Sequence, residues 1–226
     1  MDIIRELYAR FELVPFAAGN TGLQLAGWFN REINSPRDLK GLRMRIPGLG
    51  GEVLARAGAQ PVAVAGSELY TAMKDGTIDA CEWLGPFNDL KMELFRAAKY
   101  CYYPGWHEPG ATIECFVQRK AWDALPDDLQ AVVAACCQAA NLDLHARYVA
   151  ADAEARETLA TQHQVQFRRL PASVLALLRK ESDALLAELA ASDAFTRRVH
   201  ESFAAFRDRA RAWHTPADVA YYEARG

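Results

Sequence analysis

The spacing of apolar and polar residues changes several times along the chain between the period of a helix and that of a strand. Apolar side chains at helical spacing over residues 2–13 predict a short helix. After a turn at 19–22, residues 23–29 alternate with a period of two and predict a strand. Short apolar strands and short helices then take turns from 40 to 84, and this β-α-β-α-β order predicts an α/β unit with a mostly parallel sheet.

Turn and capping residues set the predicted boundaries around this unit. Ser35 can cap a single helical turn over 35–40, because Pro36 fits the first helical position. The predicted strands lie at 42–46, 61–64, 78–83, 99–103 and 111–117, and the predicted helices at 51–57 and 67–74. Beyond them we predict a long helix over 126–162, a strand over 165–170, a helical region over 171–212 with a break near 192–193, and a last short helix from 216.

The helical region near the end of the chain carries an apolar seam. Its members follow one another at spacings of 4, 3, 4 and 3 residues: Val199, Phe203, Phe206, Ala210 and Trp213. A heptad pattern of this kind buries one face of a helix. The seam either packs against the chain's own body or meets a partner helix in a dimer, and its aromatic content is typical of a contact surface.

Composition indicates a folded chain without a polyanionic partner. The chain has 226 residues, 51% of them hydrophobic, which suffices for a substantial core and excludes intrinsic disorder. With 26 Lys and Arg against 29 Asp and Glu, the net charge is −3, so nucleic-acid binding is disfavoured. The sequence has no apolar run of about 18 residues and therefore no predicted membrane span.

The five cysteines form neither the usual zinc-binding pattern nor a full disulfide framework. They contain no C-x-x-C pair and are odd in number: Cys81, Cys101, Cys115, Cys136 and Cys137. Cys136 and Cys137 fall in the predicted long helix, where we expect both to be small buried hydrophobic residues.

Motifs for common enzyme chemistry are missing from the sequence. There is no G-x-S-x-G, Walker or H-E-x-x-H motif. Residues 48–51 follow a predicted strand and precede a predicted helix, but they lack the G-x-G-x-x-G spacing and a following Lys-Ser/Thr, so they are a weak phosphate signal. The five histidines are scattered, and we interpret them as surface or packing residues.

Polar residues at predicted strand ends point to a binding site instead. Arg45 ends an apolar strand, where ligands bind in open α/β sheets. It shares a strand face with Arg43, so either both are solvated on an edge strand or Arg45 binds a carboxylate. Glu82 ends another strand and needs a cation or donors, and Trp83 could wall a small pocket. The aromatic-rich turn at 102–110 lines the same cleft or closes one end of the core.

Several runs of residues resemble one receptor family. The runs are 19–24, 27–29, 38–48, 76–83 and 103–110, and the likeness continues to Glu223. Together they resemble the DctP-type extracytoplasmic solute receptors of tripartite ATP-independent periplasmic (TRAP) transporters, most closely the branch that binds 2-oxo monocarboxylates such as pyruvate together with sodium. The D-L-K-G-L-x-x-R run is general to the family, whereas the E-W-x-G-P and P-G-W-H-E-P-G runs are more specific to this branch.

The resemblance implies a role for each matching residue. Arg45 would clamp the solute carboxylate, and Gln24 would contact both solute and sodium. Glu82 would give a carboxylate oxygen to sodium and Trp83 its main-chain carbonyl, while Trp83 and Glu108 would also line the solute site. The resemblance further implies no reaction and no organic cofactor, with TRAP membrane subunits as partners and a homodimer formed through the C-terminal helix.

The implied fold is an α/β architecture like that of type II periplasmic binding proteins, with the second lobe, part of the first, and long C-terminal helices. Residues 1–80 and 119–170 would form mainly lobe II, 81–118 the inter-lobe strands and the remaining part of lobe I, and 171–226 a helical region that includes the dimerisation helix. The signal peptide and the N-terminal part of lobe I are expected to be absent.

The sequence is compatible with more than one cellular location and more than one activity. The resemblance implies a periplasmic protein, whereas residues 1–7 do not resemble a secretory signal and by themselves predict a cytoplasmic chain. Two other hypotheses stay open at this point. One is an enzyme that acts on an oxo acid with Glu82 or His107 as base, and the other is a dimerising remnant that binds no solute.

Overall fold

The computed structural model describes residues 2–225, with the backbone alone at residue 2. The chain folds into two compact units, Met1–Arg179 and Lys180–Gly226. Within the described residues no helix is both long enough and apolar enough to cross a membrane.

Strands and short helices alternate through the first unit. Its strands are β1 (Leu13–Asn20), β2 (Gly27–Phe29), β3 (Arg43–Arg45), β4 (Gln60–Val62), β5 (Ala80–Cys81), β6 (Tyr100–Tyr103), β7 (Thr112–Gln118) and β8 (Gln166–Arg169). The helices up to β8 are α1 (Asp2–Ala9), α2 (Gly48–Arg56), α3 (Leu69–Lys74), α4 (Pro86–Lys91), α5 (Arg119–Asp123) and α6 (Asp127–Thr161). Short 3-10 turns occupy Pro36–Leu39, Gly66–Glu68 and Leu94–Arg96.

The remaining helices are α7 (Ala172–Ser192), α8 (Ala194–His214) and α9 (Ala220–Arg225). The predicted break at 192–193 is confirmed: Asp193 caps α8, because its Oδ1 accepts a hydrogen bond of 2.9 Å from the Thr196 amide. The helix predicted to end near 212 ends at His214, and a short π-helix over Thr215–Val219 joins it to α9, which begins at Ala220 rather than at 216.

The larger sheet has six strands in the order β4-β3-β5-β2-β6-β8. β3 pairs in parallel with β4 and β5, and β6 with β8, whereas β2 is antiparallel to both of its neighbours. The predicted parallel unit is therefore confirmed over β3, β4 and β5. β1 and β7 form a separate antiparallel pair with an irregularity between Ala17 and Gly19.

Trp28 lies at the centre of the larger sheet and of the core behind it. It pairs with Cys81 on one side and Cys101 on the other, and its side chain is fully buried. The indole N–H donates to Asp89 Oδ2 over 2.8 Å, which satisfies the only polar atom of the ring. This bond ties β2 to α4 beneath the site described below.

The beginning of the chain differs from its prediction. The helix ends at Ala9 rather than near 13, and Glu12 has a φ of 56°, a left-handed conformation that a helix cannot continue through. Strand β1 was not predicted, because its partner β7 lies about 100 residues away and local periodicity does not report such a pairing. Of the predicted strand 23–29 only β2 forms, and Leu23 is 81% exposed.

The prediction for the cysteines of the long helix is half wrong. Cys137 is buried, but Cys136 is exposed. Successive residues of a helix point about 100° apart, so only one of two neighbours can face the core. All five cysteines are free thiols.

Candidate functional site

Arg45 is the last residue of β3 and places its guanidinium at the carboxyl end of the parallel strands. Its Nη1 donates to the Glu82 carboxylate over 2.5 Å and to the Glu82 main-chain carbonyl over 2.9 Å. Its Nε donates to the Val64 carbonyl over 3.4 Å. Among the described residues no hydrogen bond uses Nη2, so this nitrogen can still donate to a ligand.

Glu82 follows β5 directly and is almost completely buried, with 3% of its surface exposed. Its amide donates to the Arg45 carbonyl over 3.1 Å, so the backbone ladder itself brings the two side chains together. A buried carboxylate needs a compensating charge or donors, and Arg45 supplies both.

His107 contacts the second oxygen of the same carboxylate. Its Nε2 lies 3.4 Å from Glu82 Oε2, and its side chain is 4% exposed. An Nε2–H tautomer donates to the carboxylate and leaves Nδ1, which is buried without a partner in the described part of the chain. The sequence singled out His107 only as a candidate base of the enzyme hypothesis and did not predict its contact with Glu82. Its position inside the P-G-W-H-E-P-G run was the signal available.

Trp83 forms one side of the site. The Arg45 guanidinium carbon lies 5.3 Å from the centre of the indole ring, within the range of a cation–π contact. The ring packs on Gly66, where an added Cβ would come within 2.6 Å of the indole. The absence of a side chain at residue 66 is thus what leaves room for Trp83.

Gln24 is buried and lies against the loop that carries His107. Its main-chain N–H donates to the Pro109 carbonyl over 3.0 Å. A Cβ added at Gly105 would come within 2.6 Å of the main-chain carbonyl oxygen of Gln24, which is a buried residue. The Gln24 backbone therefore packs on the loop that carries His107. Glu108, the other expected residue of this loop, is exposed.

Arg43, two residues before Arg45, has a different environment. It forms two hydrogen bonds with Asp79, from Nη2 to Oδ1 over 2.7 Å and from Nε to Oδ2 over 3.1 Å. The hydrogen bonds from Arg43 hold the pKa of Asp79 below its usual range. Arg43 is therefore paired away from the Glu82 carboxylate, and it provides a natural control for Arg45.

Asp89 supports the Glu82–Trp83 segment from below. Its Oδ2 accepts from the Trp28 indole over 2.8 Å and its Oδ1 from the Leu84 amide over 3.4 Å. Burial, the largest cause, raises its pKa to about 7. Sequence analysis did not identify Asp89, because nothing in its local sequence shows that it meets β2.

An open groove of about 710 Å³ lies next to the guanidinium, beyond the ends of β3 and β4. Its lining is mostly small and apolar: Arg45, Ile46, Pro47, Gly48, Gly51, Glu52, Ala55, Pro61, Val62, Ala63, Val64 and Ala65. A small acid with an apolar body suits such a lining, because Arg45 is the cationic residue among mostly apolar ones.

The oxygen atoms that contact Arg45 belong to the Glu82 carboxylate and to the main-chain carbonyls of Glu82 and Val64. No group of three or more His, Cys, Asp and Glu side chains occurs within residues 2–225 that could hold a metal ion. Glu82 is the only carboxylate of the described residues that contacts Arg45, and carboxylate and carbonyl oxygens are the usual ligands of hard cations.

The chain is similar to known solute-binding proteins. The family profile described as "DctP: Bacterial extracellular solute-binding protein, family 7" matches residues 2–193. A monocarboxylate 2-oxoacid-binding periplasmic protein of Nostoc sp. is 40% identical over 220 residues, which cover 96% of this chain. The chain spans 60% of the length of that relative.

Solved structures of TRAP solute-binding proteins are also similar to this chain. A TRAP periplasmic solute-binding protein from Colwellia psychrerythraea with bound calcium and pyruvate matches at a TM-score of 0.94 and 40% identity, over 98% of this chain and 68% of that one. A TRAP protein from Pseudoalteromonas atlantica with bound sodium and pyruvate matches at 0.92 and 40%, over the same shares. The α/β fold with long C-terminal helices that the resemblance implied is confirmed. With the family profile matched over residues 2–193, the chain belongs to the DctP family of bacterial extracellular solute-binding proteins.

Proposed function

We propose that the chain is the solute-binding receptor of a TRAP-type secondary transporter and that it binds a small 2-oxo monocarboxylate together with sodium. The observation that carries this proposal is the Arg45 guanidinium, which Glu82 holds at the carboxyl end of β3 and which faces the Trp83 ring. Membership of a receptor family supports binding over the enzyme hypothesis, and the structures at 40% identity contain pyruvate with calcium or sodium.

Arg45 would bind the solute through its carboxylate. A guanidinium keeps its charge at any physiological pH, so it can pair with a carboxylate. Nη2 is the donor that remains for this purpose. The Trp83 ring would then cover one face of the bound acid, and Glu108, an exposed residue of the loop that carries His107, would contribute from that loop.

Glu82, the Gln24 amide and the Trp83 carbonyl would hold the sodium ion. When bound, sodium would supply a positive charge that favours an anionic solute. His107 keeps the carboxylate in place from its other side, over 3.4 Å. Because sodium ligands and solute share the same residues, solute affinity should depend on the sodium concentration.

The receptor would act in the periplasm and deliver its solute to the TRAP membrane subunits. We further propose that it is a homodimer formed through α8. Three aromatic residues of the predicted seam are more than half exposed: Phe203 by 56%, Phe206 by 65% and Trp213 by 68%. An apolar stripe of this kind favours the second of the two alternatives for the seam, a partner helix.

Calorimetric titration of the purified chain with pyruvate tests the proposed function. The titrations are run in sodium chloride and in choline chloride at equal ionic strength. The solutes are pyruvate, longer 2-oxo acids and an uncharged amide of pyruvate. We expect binding of the acids in sodium, weaker binding in choline and none of the amide. A chain that is folded by circular dichroism but binds no carboxylate in either salt would contradict the proposal and favour the non-binding remnant.

A further inference from the structure

Helix α4 begins three residues after Trp83 and is only six residues long, Pro86–Lys91. A helix of this length is not stable alone, and its first amides have no partner within the helix. Gly85, the residue before it, has no side chain to serve as a cap, and Pro86 has no N–H. Phe87 carries the first amide N–H of the helix, which therefore needs an acceptor from another part of the chain.

Asp152 of α6 provides this acceptor, 65 residues further along the chain. Its Oδ1 accepts a hydrogen bond of 2.9 Å from the Phe87 amide. A carboxylate is favoured at this position, because the first turn of a helix carries a partial positive charge. One turn earlier in α6, the Tyr148 ring meets the Phe87 ring edge to face, with 5.8 Å between the ring centres. α6 thus contacts both the main chain and the side chain of Phe87.

Gly85 lies against the same carboxylate. A Cβ added at Gly85 would come within 2.8 Å of Asp152 Oδ1 and 2.9 Å of Oδ2. The φ of Gly85 is −118°, which any residue can adopt, so glycine is required here by the close approach and not by the backbone conformation. The glycine of the E-W-x-G-P run therefore leaves room for a side chain of α6.

The same helix also borders the loop that carries Gln24. A Cβ added at Gly22 would lie 3.6 Å from the His145 ring and 3.8 Å from Val149 Cγ2, and both of these residues belong to α6. α6 thus packs on two of the segments to which the proposed function assigns the solute and the cation, 22–24 and 82–87. Asp152 is its polar contact with the second of them.

We propose that Asp152 is a positioning residue of the solute site and acts through the Phe87 amide. By fixing the start of α4, it fixes the segment that presents Trp83 and the Glu82 carboxylate to Arg45. Asp89 holds the Leu84 amide of this segment over 3.4 Å, so Asp152 forms the shorter of the two bonds. The expected effect on solute affinity rests on the proposed function, whereas the effect on the segment does not.

Two measurements on Asp152→Ala and Asp152→Asn test the proposal. In Asp152→Ala, hydrogen exchange read by mass spectrometry should become about fivefold faster over residues 82–90 and stay unchanged over 13–20, where α6 packs on β1. Calorimetry should show about fivefold weaker pyruvate binding in sodium. Asp152→Asn keeps an oxygen that accepts from the Phe87 amide, so both values should stay within about twofold of the wild type. Asp143→Ala, at an exposed position of the same helix, is the matched control and should change neither.

A double variant tests the close approach of Gly85. Gly85→Ala alone should weaken pyruvate binding, because its Cβ would collide with the Asp152 carboxylate. The double variant with Asp152→Ala should bind no more weakly than Asp152→Ala alone, because the carboxylate is then gone. Losses that add up would show that the new Cβ meets something other than Asp152 and would contradict the proposed contact.

Other results overturn the positioning role. A lower melting temperature of Asp152→Ala with unchanged affinity, or exchange that rises equally over 13–20 and 82–90, would show that Asp152 only stabilises the fold. Equal losses in the alanine and asparagine variants would contradict the hydrogen bond to Phe87. A wild type that binds no carboxylate would instead overturn the proposed function, and the exchange pattern would then decide by itself whether Asp152 fixes the segment.

Discussion

Asp89 should make the stability of the chain fall as the pH rises. It is 1% exposed, and burial raises the pKa of its carboxyl from 3.8 to about 7. The folded chain therefore holds this proton at pH values at which the unfolded chain has already released it. The resulting contribution to stability is complete below about pH 4 and is lost as the pH rises through about 7.

The magnitude follows from the two pKa values. The folded and unfolded pKa values differ by about three units, which corresponds to about 4 kcal/mol. About two of these units, from pH 5 to about 7, fall within the range between pH 5 and pH 8. We expect Asp89 to lower the free energy of unfolding by roughly 2–3 kcal/mol over that range. Asp79 and Asp38 have lowered pKa values, so their contributions are present above about pH 4 and constant in this window.

Urea unfolding of the wild type and of Asp89→Asn at pH 5 and pH 8 measures this effect. Asparagine has the same shape and does not titrate, so the variant should lose roughly 2–3 kcal/mol less than the wild type over this range. Asp152, whose pKa burial also raises, is present in both proteins, so its contribution largely cancels. An equal pH dependence in the two proteins would refute the reasoning, whatever their absolute stabilities.

Three further predictions concern the site and the seam. Gly66→Ala should displace the Trp83 ring, because the new Cβ would lie 2.6 Å from it, and calorimetry should show about tenfold weaker pyruvate binding in a chain that still folds. His107→Ala should weaken sodium-dependent binding about tenfold by removing a donor from Glu82, whereas His107→Gln should recover part of the loss; equal losses in both would contradict the hydrogen bond. Phe206→Glu should convert the dimer to a monomer, which light scattering would measure as a halved mass. An unchanged dimer would exclude the seam as the dimer interface.

Local signals in the sequence predicted the parallel unit and the ends of the long helices. Prolines and caps act within one turn, so Pro36 and Asp193 mark helix starts regardless of the rest of the fold. Arg45 could be singled out because a charge at the end of an apolar strand is uncommon and the topology places strand ends at the site. The structure brings it into contact with Glu82 and Trp83.

Contacts between distant segments could not be predicted from the sequence. The β1–β7 pairing joins residues 13–20 to 112–118, and nothing in either segment specifies the other. Asp89 and His107 belong to the same class, because each acquires its role from a partner in another segment, Trp28 for the first and Glu82 for the second. A charged residue in a short helix or an aromatic-rich turn is equally compatible with a solvated surface.

A matched pair of arginine variants gives the most direct test of the binding account. Arg43 and Arg45 lie two residues apart in β3, but Arg43 pairs with Asp79 and Arg45 with Glu82. We expect Arg45→Gln to abolish pyruvate binding in sodium by calorimetry, and Arg43→Gln to leave the affinity within about twofold of the wild type. Full affinity in Arg45→Gln, or equal losses in the two variants, would contradict the assignment of Arg45 as the carboxylate clamp.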